Sequence, residues 1–169
     1  MNKKDELLDF CRVKKIFDKG FGFLTSIYFE ENVFFHFSKV RDQAIKETLQ
    51  NMKRGVIYVF YTSQLSEGKR KVKRLWTDIK KVDTRLIPIF VDKIIDEFQN
   101  GRTNIFETAH VIKLLREANY LDNSTFKKIL ELPKITKTPS VISSMLTEEE
   151  IKKIKKTENL VEEAKTIIQ

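Results

Sequence analysis

What this chain lacks narrows it before any motif does. Its 169 residues include one cysteine, one tryptophan, two histidines, three prolines and five glycines. A lone Cys11 excludes an intrachain disulfide, and so few histidines and cysteines leave little material for a metal centre. There is no phosphate-cradling glycine loop, nucleophile elbow or cluster of metal ligands. No catalytic residue, metal or cofactor is therefore expected, and the chain does not read as an enzyme. It also has no long apolar run and nothing that reads as a signal peptide. With the single thiol, this predicts a cytoplasmic protein with no membrane contact.

What is present is charge and apolar bulk. Hydrophobic residues make up 41% of the chain, enough for one compact domain or two small ones. The formal net charge is +8, and its distribution matters more than its size. Residues 1–82 hold 18 lysines and arginines against 10 acids, while residues 83–169 hold 14 of each. The whole excess lies in the first half, where aromatic residues interleave with cations. That combination suits a polyanion with flat faces, because cations release counterions and rings stack.

The aromatic residues fall in two short stretches. In Lys19-Gly20-Phe21-Gly22-Phe23-Leu24, strand alternation sends Phe21 and Phe23 to one face, and the glycines leave bare backbone that something flat could approach. In Val33-Phe34-Phe35-His36-Phe37-Ser38, Phe34 and His36 share one face and Val33 and Phe35 the other. The side carrying Val13, Leu24, Val33 and Phe35 reads as core. As antiparallel neighbours, the two strands would present one aromatic platform edged by lysines. Rings left in water imply a ligand with π-faces, and an unpaired nucleobase is the obvious candidate.

These two stretches, in this order and near this spacing, resemble the paired signatures of the cold-shock domain, K-G-F-G-F-(I/L) and V-F-(V)-H-F. The resemblance spans roughly residues 8 to 80. It implies a five-stranded antiparallel barrel of the oligonucleotide-binding type that binds single-stranded RNA or DNA by stacking bases on its aromatic face, and RNA is the favoured reading. Phe21, Phe23, Phe34 and His36 are the expected base contacts, and Phe37 joins them from the family pattern rather than from alternation. Lys14, Lys19 and Arg74 are the candidate phosphate contacts. The first strand departs from the family: where V-K-W-F-N is usual, Val13-Lys14 is followed by Lys15-Ile16-Phe17-Asp18, one residue short and without tryptophan. At roughly 1 to 3 kcal/mol per stacked base, a lost ring shifts the burden toward charge.

The remainder of this half supports the platform. Tyr28 and Phe29 either extend it or fold back onto the barrel mouth. Apolar spacing over 42–52 predicts a short helix capped by Asp42, whose cations either grip flanking phosphates or face solvent. Gly55 to Thr62 is the strongest strand signal; Ile57, Val59 and Tyr61 face inward, and the equally apolar outer side must be covered, by packing against the second half of the protein or by a ligand. Ser63 to Gly68 reads as a turn and Lys69 to Trp76 as the fifth strand, with Val72 and Leu75 inward. Trp76 anchors the two halves to each other or stacks on a base.

After Val82 the period changes from 2 to 3.6. Residues 83–169 read as a helical domain of about four helices, with Lys134 to Met145 as a linker and a capping box at Thr147 opening a final helix. The expected class is α+β, with an oligonucleotide-binding domain over 8–82 and a helical domain over 83–169. The near-neutral second half supports an alternative function, an adaptor whose last helix binds a protein partner or forms a homodimer.

Overall fold

The computed structural model describes residues 6–13, 20–36, 38, 40, 42–50, 57–154 and 159–168. The chain is α+β: a curled five-stranded sheet, a half-barrel, precedes several helices. Two compact units result, Met1–Phe90 and Val91–Gln169.

The sheet is built from β1 (Asp9–Val13), β2 (Phe21–Leu24), β3 (Val33–His36), β4 (Ile57–Ser66) and β5 (Lys69–Trp76), with helix α1 (Gln43–Gln50) between β3 and β4. Its order is β1-β4-β5-β3-β2. The expected purely antiparallel arrangement is corrected here, because β3 and β5 run parallel and make the sheet mixed. Two reversals separate them, the excursion through α1 and the β4–β5 hairpin, so β5 regains the direction of β3 before pairing with it.

Alternation sets the inner face as the sequence predicts. Cys11, Leu24, Val33, Val59 and Tyr61 are buried together, flanked by Val13, Phe35, Ile57, Val72 and Leu75. Helix α1 adds Leu49 and Ile45, four residues apart on one stripe, and Asp42 caps it by accepting the amides of Ala44 and Ile45 at 2.9 and 3.3 Å. Val72 and Leu75 are three residues apart, which strict alternation forbids. A β-bulge resolves this: Ser63 pairs with Val72 but Thr62 pairs with Arg74, so Lys73 is the extra residue. The hairpin turns more tightly than expected. Its strands reach Ser66 and Lys69, and Glu67 and Gly68 supply two left-handed residues with φ of 52° and 78°.

The outer side of β4 is covered, as its apolar character requires. Phe60 is 1% exposed, lies across from Phe10, and meets the edge of Phe90 at 6.1 Å.

In the second unit, α2 (Ile87–Asn100) runs on from the first, followed by α3 (Ile105–Glu117) and α4 (Asn123–Leu130). The segment expected as a linker is folded. Pro133 opens α5 (Pro133–Lys137), Pro139 opens a 3₁₀ turn, and α6 (Ile142–Met145) follows. Ile135, Val141, Ile142 and Met145 are all fully buried. Proline has no amide to donate, so it fits the first turn of a helix, and here it starts elements rather than ending them. The capping box forms at Thr147 and Glu150, opening α7 (Glu148–Lys152), and α8 (Leu160–Ile167) is a separate helix. Glu150 also takes both terminal nitrogens of Arg116 at 2.7 and 2.6 Å, while that guanidinium lies 3.9 Å over the Phe126 ring. The end of α8 packs inward through Ala164 and Ile168, and Asn123 donates to the Ile168 carbonyl at 2.7 Å.

Candidate nucleic-acid interface

The β2–β3 hairpin places four flat side chains on the outer face of the sheet. Phe21 pairs directly with His36, and Phe23 with Phe34. Phe34 is the centre of the group: Phe21 stacks beside it at 6.1 Å and 27°, Phe23 meets it edge-on at 5.7 Å, and His36 lies 6.5 Å away. Phe23 is 53% exposed, and the other three are half-buried. The intervening positions, Gly22, Leu24, Val33 and Phe35, point inward. Gly22 therefore sits opposite Phe35 on the core side, not on the ring side where bare backbone was expected. Gly20 has a backbone role instead, since its φ of 77° suits glycine at the entry to β2.

The His36 ring is oriented by its own chain. Its Nδ1 accepts the amide of Ser38 at 3.0 Å, so the neutral ring carries its proton on Nε2.

Lys14, Lys19 and Phe37 lie outside the described residues. Arg74 is on β5, but its charge is answered within the chain. Nε donates to Glu6 at 2.8 Å, another nitrogen lies 3.5 Å from Asp83, and the guanidinium stands 5.0 Å from the Trp76 ring centre. Glu6 is only 6% exposed at its side chain and also accepts the Thr62 hydroxyl at 2.8 Å. These partners hold its carboxyl below the usual range, against the opposing pull of burial. The bulge at Lys73 turns Arg74 toward this cluster, which no spacing rule reveals. Glu6 lies 68 positions from Arg74.

The loop after β2 folds back and does not widen the ring face. Ser26 accepts the amides of Tyr28 and Phe29 at 3.0 and 3.1 Å, and the Phe29 ring lies 3.8 Å beneath the Arg70 guanidinium. Arg70 also donates to Ser63 at 3.3 Å.

Asp9 ties this loop to β1. Its carboxylate is buried at 2% exposure and accepts the Ser26 hydroxyl and the Ile27 and Phe10 amides, both at 2.9 Å. Burial outweighs these donors and pushes its pKa up to about 6. The Tyr61 hydroxyl beside it donates to the Thr25 carbonyl, and burial together with the Asp9 charge pushes its own pKa up. No β1–β2 ladder exists among the described residues, so these side-chain bonds join the two ends of the curled sheet.

Chemically, the outer face offers flat apolar surface and one oriented imidazole. Among the described residues, no group of three or more histidine, cysteine or acidic side chains could hold a metal ion. Among the same described residues, no helix is long and apolar enough to cross a membrane. No protein family, curated protein or solved structure matches the chain.

Proposed function

We propose that the chain binds single-stranded nucleic acid, RNA in preference to DNA, by stacking bases on the outer face of a cold-shock-type sheet. On this reading it acts in RNA chaperoning or in the control of gene expression. The observation that carries the proposal is the group formed by Phe21, Phe23, Phe34 and His36. Phe21, Phe23 and His36 each lie within ring-contact distance of Phe34 on two adjacent strands, with Phe23 more than half in water. Large rings left on the outside of a sheet cost free energy unless a ligand covers them, and a base has the matching flat face. The positive excess of residues 1–82 supports a polyanionic ligand.

The test is titration of a labelled pyrimidine-rich oligonucleotide, as RNA and as DNA, followed by fluorescence anisotropy. The double variant Phe21→Ala with Phe34→Ala is expected to abolish binding while the circular dichroism spectrum is retained. A titration curve equal to that of the wild type overturns the assignment.

A further inference from the structure

The ring group does not stop at β3. Register carries one straight row across four strands: Phe23 on β2 pairs with Phe34 on β3, Phe34 with Lys71 on β5, and Lys71 with Gln64 on β4. Directly paired residues share a face of the sheet, and Val72, next along β5, packs into the core. Lys71 and Gln64 therefore stand on the aromatic side, with Lys71 about one strand spacing, roughly 4.8 Å, from Phe34.

The cations of β5 are not equivalent. Arg74 is held by Glu6 and Asp83, Arg70 stacks on Phe29, and Lys73 occupies the bulge. Lys71 is half-buried and has no carboxylate partner among the described residues. A half-buried lysine beside a stacking ring can offer its ammonium to a phosphate, and an amide one strand further can both donate and accept.

We propose that Lys71 takes the backbone phosphate of a nucleotide stacked on Phe34, and that Gln64 contacts the next sugar or base edge, so that the bound strand crosses the sheet from β2 toward β4. This rests on the nucleic-acid reading above and adds the path of the ligand and the cation that fixes it.

The test is the salt dependence of oligonucleotide affinity for the full chain. Each phosphate contact to a single strand contributes about 0.7 to the slope of log K against log salt. Lys71→Gln is expected to reduce the slope by about that amount, and Lys71→Arg to restore most of it. Lys128→Gln, an equal charge change on an exposed position of α4, is expected to leave the slope at the wild-type value. If the wild type binds through its rings and Lys71→Gln keeps the full slope, the path is wrong while the stacking face stands. If the wild type binds no oligonucleotide, both fall.

Discussion

Glu6 and Arg74 form a pair that spans most of the first unit, with the guanidinium Nε donating to a carboxylate that is almost wholly out of water. It gives Arg74, one of the three cations read from the sequence as phosphate contacts, a partner inside the chain. Arg74→Ala is expected to leave Glu6 buried without its cation. Because Arg74 keeps about a third of its side chain in water, the loss should be about 1 to 2 kcal/mol of stability, measured by urea denaturation. The salt slope of oligonucleotide binding should change less than in Lys71→Gln.

Asp9 predicts a pH dependence of definite sign. A carboxyl that holds its proton up to about pH 6 when folded, against 3.8 in its ordinary state, binds protons more tightly in the folded chain. Its contribution is complete below the ordinary value and is lost as pH rises through about 6. Stability of the wild type relative to Asp9→Asn is therefore expected to fall between about pH 4 and pH 7, by on the order of 1 to 3 kcal/mol. Denaturant midpoints across that range provide the check. Glu6 acts in the opposite sense and in a lower window: its carboxyl is held below 4.5, so its contribution is lost on acidification beneath that value.

Phe23 and Phe60 separate binding from folding. Phe23 is 53% exposed and touches Phe34 by its edge, so Phe23→Ala is expected to change stability by no more than about 0.5 kcal/mol. On the stacking reading it should weaken oligonucleotide affinity about 5- to 150-fold, the equivalent of one base. Phe60 is 1% exposed, and Phe60→Ala should cost about 3 to 5 kcal/mol. Thermal melting and anisotropy on both variants distinguish the roles.

Gly101 is required by a neighbouring side chain. A Cβ there would overlap the carboxyl group and the main-chain oxygen of Glu97. That carboxylate accepts the amides of Arg102 and Thr103, both at 3.0 Å, and the Thr103 hydroxyl at 2.5 Å, fastening the turn between α2 and α3. Gly101→Ala is expected to displace this cap and cost about 1 to 3 kcal/mol, read from the denaturation midpoint.

Much of the sheet was legible because alternation leaves few choices. Val13, Leu24, Val33 and Phe35 on one face and Phe21, Phe23, Phe34 and His36 on the other follow from period 2 alone. The bulge was not legible, since nothing in Lys-Val-Lys-Arg-Leu says where an extra residue enters. The strand end Ser63 to Ser66 was read as part of a turn because its two serines lead into Glu67-Gly68, yet pairing with Lys69 to Val72 keeps it extended. The run from Lys134 to Met145 was read as a linker from its proline and hydroxyl residues. Pro139 within it and Pro133 just before it each open a helical turn, and Ile135, Val141 and Ile142 supply the burial. In the candidate site, the rings were visible as a motif. Which cation stands beside them was not, because Lys71 meets Phe34 only through a strand order set by residues far apart in the chain.

That strand order also determines how the ring-bearing hairpin opens. Among the described residues, β3 is the only strand that ladders β2 to the rest of the sheet, and β5 is its only link to β4 and β1. The hairpin is thus hinged on one parallel seam, helped by the bonds from Asp9, Cys11 and Tyr61 to the loop at its base. Amide protons of β2 and β3 are expected to exchange with deuterium earlier than those of the long β4–β5 ribbon. Because a bound oligonucleotide crossing the seam would clamp it, protection gained at Phe34 on adding ligand would report occupancy without any label.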